Sequence, residues 1–339
     1  MPPLSPPQQV VSGAPVMRGL VIKSTGSSYI VRMDDGTDVE CRIKGNFRIR
    51  GIRSTNPVAV GDYVEVQSDQ GQAIYWITEV CERRNYIIRR STNLSKESHI
   101  LASNIDQVAL IVTVNHPVTS TTFIDRFLAT CEAYRVHALL IFNKIDLLTE
   151  EEMAQLAELR ALYESIGYET LAISATGLNS EALNARSALN SLLQGKTTLL
   201  SGNSGVGKST LLNALFGREV TRTGKISDAH DKGMHTTTFS EMYELVESQN
   251  GTEPVESKGW VIDTPGIKGF GTIDFEREEV SHYFPEIFRI SRDCRFGNCT
   301  HTNEPGCAVQ EAIIKGSIAI SRYESYLSLL GDCSESKYR

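Results

Sequence analysis

Eight consecutive residues, Gly202, Asn203, Ser204, Gly205, Val206, Gly207, Lys208 and Ser209, have the spacing G-x-x-x-x-G-K-S. Glycines at these positions let backbone N–H groups turn inward on a phosphate chain at a helix N-terminus. Lys208 is then placed to reach the β and γ phosphates, and Ser209 to ligate magnesium. The flanks supply the context the motif needs. The apolar run 197–201 before it reads as a strand, and the run from Thr210 to 216 after it reads as a helix.

Further motifs fit the same chemistry. Asp263-Thr264-Pro265-Gly266 follows the strand-like run 259–262 and matches D-x-x-G. Asp263 is expected to hold magnesium through its water shell, and the Gly266 N–H to meet the γ-phosphate. Asn143-Lys144-Ile145-Asp146 matches N-K-x-D. The two carboxylate oxygens of Asp146 suit the two N–H donors on the guanine edge; adenine lacks that pair, which disfavours an ATPase. Asn143 and Lys144 shape the pocket, the lysine stem covering the base. Ser174 and Ala175, after a further strand, fit a backbone N–H facing the guanine carbonyl.

Between the phosphate loop and Asp263 lies Met234-His235-Thr236-Thr237-Thr238, where the first switch of a GTPase belongs. Thr237 is the first choice of magnesium ligand, with Thr236 the close alternative. His235 is a candidate to orient the attacking water or to contact a partner. Ile267 stands where Ras-like enzymes carry a water-orienting glutamine. Intrinsic hydrolysis is therefore expected to be slow and to be completed by a partner, an effect worth ~10³ to 10⁵ in rate. The catalytic candidates are thus Lys208, Thr237 and His235.

The order of the motifs carries its own information. In ordinary GTPases the phosphate loop precedes N-K-x-D; here it follows. That inversion implies a circularly permuted domain, whose new C-terminal end continues from the second switch into whatever comes next. What comes next is Cys294-x4-Cys299-x-His301-x5-Cys307. Three thiolates and one imidazole make a closed tetrahedral zinc site, and a closed site is structural.

The elements that must position these residues fall into three parts. Residues 1–16 hold five prolines and read as a disordered tail. Alternating segments at 19–23, 28–32, 38–43, 63–67 and 75–80 predict five strands, hence an OB-fold barrel over 17–84. Its loop 44–53 carries Arg48, Arg50 and Arg53 around Phe47, a composition suited to nucleic-acid phosphates and a stacked base. Residues 85–94 read as a connector. Over 85–275, buried strands at 108–114, 136–142, 170–173 and 197–200 alternate with helices at 121–134, from Thr149 to 163, and near 181–193. That pattern predicts a parallel α/β sheet, with Thr149 and Glu152 as a capping box. Residues 276–339 form a short, polar, zinc-binding helical part. The fold class is therefore multidomain: an N-terminal all-β OB-fold barrel, a central α/β circularly permuted P-loop GTPase, and a C-terminal zinc-binding domain.

Composition narrows the setting. The net charge of −7 excludes a uniformly basic nucleic-acid coat but not local patches. No apolar run approaches ~18 residues, so no spanning helix is expected. Seven cysteines without an export signal point to the cytoplasm.

The motif order, the five-stranded barrel and the cysteine–histidine spacing together resemble the RsgA family of GTPases. The resemblance implies GTP hydrolysis late in 30S maturation, with the 30S subunit and 16S rRNA as partners, stimulation by 30S, GTP/GDP with Mg²⁺ and one Zn²⁺, and a monomer. The family's usual Gly-Arg-His before the threonines is Gly233-Met234-His235 here. The alternatives are a GTP-gated RNA-binding protein with a non-ribosomal target and a scaffold with an inactive nucleotide site.

Overall fold

The computed structural model describes residues 16–25, 28–43, 57–68, 75–90, 98–177, 183–220, 240–246, 257–263 and 275–335. The switch residues His235, Thr236 and Thr237, the loop residues Phe47, Arg48, Arg50 and Arg53, and Gly266 and Ile267 lie outside them.

Strands β1 (Val16–Ser24), β2 (Tyr29–Met33), β3 (Asp38–Ile43), β4 (Tyr63–Ser68) and β5 (Tyr75–Val80) run in the order β1-β2-β3-β5-β4, and β4 pairs back onto β1 to close a barrel. Val16 already belongs to β1, at the end of the stretch read as a tail. Alternation sets the barrel's inside: Val21, Tyr29, Val31, Cys41, Val64, Val66 and Ile77 are buried in one cluster.

Residues 86–90 are not a mere connector. They form β6 (Tyr86–Arg90), antiparallel to β7 (Ser98–Ser103). The arginines around this stretch drew the reading toward a polar linker, yet Ile87 is fully buried. At its base Arg83 grips the buried Asp62 with two hydrogen bonds of 2.6 Å, and Ser103 donates a third of the same length. These bonds fix the barrel to the next domain.

That domain contains β8 (Gln107–Val112), α1 (Thr121–Tyr134), β9 (His137–Phe142), α2 (Glu150–Ile166), β10 (Glu169–Ala172), α3 (Leu183–Leu193), β11 (Lys196–Ser201), α4 (Lys208–Phe216), β12 (Glu241–Val246) and β13 (Ser257–Asp263). The sheet order is β10-β9-β8-β11-β13-β12, parallel except for β12. Every residue of β8 is buried, as a strand covered on both faces requires. The phosphate-loop strand β11 lies mid-sheet although it comes fourth among the domain's parallel strands in the chain, which is permutation seen in three dimensions. Thr149 caps α2 with the expected reciprocal box.

β12 also pairs with β1 of the barrel, joining both into one 11-stranded sheet. Lys23–Glu241 at 3.1 Å and Arg32–Glu244 at 2.7 Å reinforce the seam.

The C-terminal part holds α5 (Pro285–Ser291), α6 (Ala308–Ile314) and α7 (Ile320–Glu335). It is less polar inside than its sequence suggested: Phe284, Ile287, Val309, Ile318, Tyr326, Leu329 and Leu330 share an apolar cluster that includes Ala129 of α1. Among the described residues, no helix is long and apolar enough to cross a membrane.

Candidate nucleotide site and cysteine–histidine centre

The phosphate loop occupies the turn from β11 into α4. Its glycines are required by geometry. Gly202 has φ +145°, and a Cβ there would sit 2.3 Å from the Ile111 carbonyl oxygen. Gly207, at φ +97°, caps α4, and a Cβ would sit 2.4 Å from Asn143 Nδ2. Asn203 is half-buried, Ser204 and Gly205 are exposed and Val206 is buried. Lys208, Ser209 and Thr210 open α4 as half-buried residues. The Lys208 ammonium donates to the carbonyls of Gly202 at 2.6 Å and Asn203 at 3.0 Å. Burial lowers its pKa, and the charge of Asp263 works in the opposite direction. Asp263 itself ends β13, in register with Leu200 of the phosphate-loop strand.

Asn143 ties three motifs together. Its Nδ2 donates to the Val206 carbonyl at 2.8 Å, and its Oδ1 accepts from the Ala175 N–H at 2.9 Å. One buried amide thus links the phosphate loop, the N-K-x-D segment and the Ser174–Ala175 turn. Both its donor and its acceptor functions are used; an aspartate in its place would keep the acceptor but lose the donor to Val206. Lys144 takes φ +64°, and a 3-10 turn (Ile145–Leu147) places Asp146 exposed at the rim. Ser174 is half-buried, its hydroxyl 2.9 Å from that of Thr176. The structure therefore brings Asn143, Lys144, Ala175, the phosphate loop and Asp263 to one end of the parallel strands, where open α/β sheets bind ligands.

A second centre lies in the C-terminal part. The ligand atoms of Cys294, Cys299, His301 and Cys307 all lie within 4.8 Å of one another. Cys294 Sγ and Cys307 Sγ are 3.9 Å apart, and His301 Nδ1 is 3.6 and 3.5 Å from them. A tetrahedral zinc with bonds of about 2.3 Å to sulfur and 2.0 Å to nitrogen would set these edges at about 3.8 and 3.5 Å. The donor set fits that ion with Nδ1 as the histidine ligand. Burial, then the neighbouring thiols, push the Cys299 thiol up to about 12, so a cation is needed to hold this cluster as thiolates.

The sequence reading missed the shell that orients the centre. The His301 carbonyl accepts from Gln310 Nε2 at 2.6 Å and from the Tyr323 hydroxyl at 2.7 Å. Glu304 collects the N–H of Thr300, Thr302 and Asn303 and the Thr300 hydroxyl. Burial opposes its charge, yet those hydrogen bonds win and bring its pKa to about 2. Such partners have no fixed spacing, so only the fold reveals them.

Strand order, motif order and the converging site define a circularly permuted phosphate-loop GTPase domain joined to a five-stranded barrel. Comparison with known proteins narrows this. The RsgA GTPase family description matches residues 80–273, and the RsgA N-terminal domain description matches residues 18–75. The chain is 57% identical over 326 residues to small ribosomal subunit biogenesis GTPase RsgA 2 of Bacteroides thetaiotaomicron, covering 95% of this chain and 99% of that protein. It is 58% identical over 325 residues to the RsgA of Porphyromonas gingivalis, with the same coverage. Among solved structures, YjeQ from Thermotoga maritima matches with a TM-score of 0.70 at 31% identity, over 94% of this chain and 99% of that one. YloQ, described as a circularly permuted GTPase, matches at 0.67 and 26% identity, over 98% and 99%. The chain belongs to the RsgA GTPase family.

Proposed function

We propose that this chain is a GTP-hydrolysing assembly factor acting late in maturation of the small ribosomal subunit, its turnover stimulated by the 30S particle. The observation that carries the reading is the Asn143 junction of phosphate loop, N-K-x-D and Ala175, in a chain that aligns over 95% of its length with proteins named small ribosomal subunit biogenesis GTPase.

The residue roles follow the chemistry. The backbone N–H groups of 202–209 cradle the phosphates, and Lys208 leaves its carbonyl partners for the β and γ oxygens. Ser209, Thr210 and Asn203 line the phosphate chain. Ser209 and Thr237 would ligate magnesium, with Asp263 acting through its water shell; that ion supplies charge neutralisation at the leaving and transferring oxygens. Gly266 reads the γ-phosphate. Asp146 pairs with the guanine edge, Lys144 covers the base, and the Ala175 N–H, held by Asn143 next to Ser174, faces the guanine carbonyl. His235 orients the attacking water, with the 30S subunit completing the geometry. Cys294, Cys299, His301 and Cys307 hold one structural zinc.

In this reading the barrel over 17–84 and the helical zinc part over 276–339 contact 16S rRNA on either side of the GTPase domain over 85–275, and the factor works as a cytoplasmic monomer. The test is GTP turnover with purified 30S, with 50S subunits and bare rRNA as controls. Strong stimulation by 30S alone is expected. Slow turnover indifferent to all three would overturn the ribosomal role and favour a non-ribosomal RNA target.

A further inference from the structure

The loop between β8 and α1 belongs to no nucleotide motif, yet it is built against two of them. It is folded tightly on itself. The Thr113 N–H donates to Thr119 Oγ1 at 3.1 Å, the Thr119 N–H to the Thr113 carbonyl at 3.0 Å, and the Thr113 hydroxyl to the Pro117 carbonyl at 2.5 Å. Pro117 rests on the phosphate loop: its Cδ and Cγ lie 3.5 and 3.7 Å from where a Cβ on Gly205 would be. His116, at φ +61°, turns its carbonyl to the Lys144 ammonium, which donates to it at 2.6 Å.

The side chain that fixes this carbonyl is Asn115. Its Oδ1 accepts from the His116 N–H at 2.9 Å, and its Nδ2 donates to Glu152 Oε1 at 2.5 Å. The other Glu152 oxygen accepts from the Thr149 N–H at 2.9 Å, closing the capping box of α2. A continuous relay therefore runs from the start of α2 through Glu152 and Asn115 to the His116 carbonyl and Lys144. The lysine stem passes over the phosphate loop, its Cε 3.8 Å from where a Cβ on Gly207 would be.

We infer that Asn115 is a positioning residue for Lys144, setting through the His116 carbonyl the lysine stem that covers the guanine base. This rests on the guanine-nucleotide site proposed above. A lysine stem left untethered samples many rotamers and must be ordered when ligand binds; a stem tethered in advance loses less at that step. The effect belongs to the base end of the nucleotide, shared by GDP and GTP, and not to the γ-phosphate where hydrolysis occurs.

The full chain is titrated with a fluorescent GDP and a fluorescent non-hydrolysable GTP analogue. Asn115→Ala is expected to weaken both by roughly three- to tenfold, the size expected for one lost hydrogen bond, with kcat at saturating GTP unchanged. The loss should vanish in a Lys144→Ala background, because the two residues act in series. Asn115→Asp combined with Glu152→Gln should restore affinity. The carboxylate at 115 still accepts from His116, and the amide at 152 supplies the donor. A loss of the same size with and without Lys144, or one seen for only one nucleotide, would overturn the inference. Wild-type binding with an unchanged Asn115→Ala variant would sink it alone, whereas a wild-type chain that binds no guanine nucleotide would sink the proposed function with it.

Discussion

Arg322 on α7 joins the C-terminal part to the GTPase domain through charges removed from water, and its replacement is calculable. The guanidinium is 1% exposed, while the side chains of Asp125 on α1 and Glu286 on α5 are 0% and 5% exposed. Arg322 donates to both oxygens of Glu286, at 2.7 and 3.1 Å, and to Asp125 Oδ1 at 2.9 Å. It also stands 4.8 Å over the Phe284 ring. Burial disfavours its charge, but the Glu286 hydrogen bonds and the two carboxylates more than compensate, and its pKa is raised.

Arg322→Met keeps most of the volume, so little cavity forms. It leaves two carboxylates buried without their cation, the Tyr163 hydroxyl still donating to Asp125. Breaking a buried pair in this way costs about 3–5 kcal/mol. At 1.4 kcal/mol per tenfold, hydrogen-exchange protection across α7 should fall by roughly two to three and a half orders of magnitude. The barrel should be unaffected. Adding Asp125→Asn and Glu286→Gln should recover part of the loss by removing the stranded charges. A fall of less than tenfold in Arg322→Met would refute the reasoning, because the cluster would then be worth no more than a surface pair.

Two further outcomes test the sites. Asp146→Asn turns one acceptor of the base-edge pair into a donor, so discrimination of ~10⁴ against other purines should collapse and xanthosine diphosphate should gain on GDP; competition titration showing no such gain would remove Asp146 from the base edge. At the cysteine–histidine centre, thiols such as Cys299, raised to about 12, must lose protons to bind metal. Zinc affinity should therefore climb as pH rises from 6 to 8 and fall on acidification. Chelator competition giving a pH-independent affinity, or metal content unchanged in Cys307→Ala, would exclude thiolate ligation.

Local signals were the legible ones. Alternation located all five barrel strands, and helical spacing located α1 over the residues it occupies, Thr121–Tyr134. The reciprocal box at Thr149 needed only two residues three apart. What escaped depends on distant partners. Ile87 sits among arginines whose charge masked a strand until Ile100 and Ala102 of β7 were seen beside it. β12, Glu-Met-Tyr-Glu-Leu-Val, lacks a polar–apolar alternation, and Glu241 and Glu244 make sense only opposite Lys23 and Arg32 of the barrel, more than 200 residues away. The C-terminal core is divided among the short helices α5 and α6, the longer α7 and Ala129 of the distant α1, so no single stretch of sequence displays it. Asn115 carries no motif at all, and its meaning comes from Glu152 and Lys144 arriving from the next strand and helix.

The permuted chain joins the barrel and the C-terminal part to the candidate nucleotide site in different ways. β12 leaves the segment read as the first switch, and its entry is tied to the barrel: the Ser24 N–H donates to the Ser240 carbonyl at 3.3 Å, and Lys23 is in register with Glu241. If that segment acts as proposed, a change in it would reach the barrel through this backbone hydrogen bond and the β1–β12 pairing. The C-terminal part, with its cysteine–histidine cluster, follows Asp263 along the chain through the segment read as the second switch. It is also fastened to α1 by Arg322, Asp125 and the apolar cluster around Ala129. In the same reading, a change at the second switch would act on a module that is also held to α1. In that reading the γ-phosphate would reach the barrel and the C-terminal part by two different connections, one through the β1–β12 pairing and one through the chain that follows Asp263.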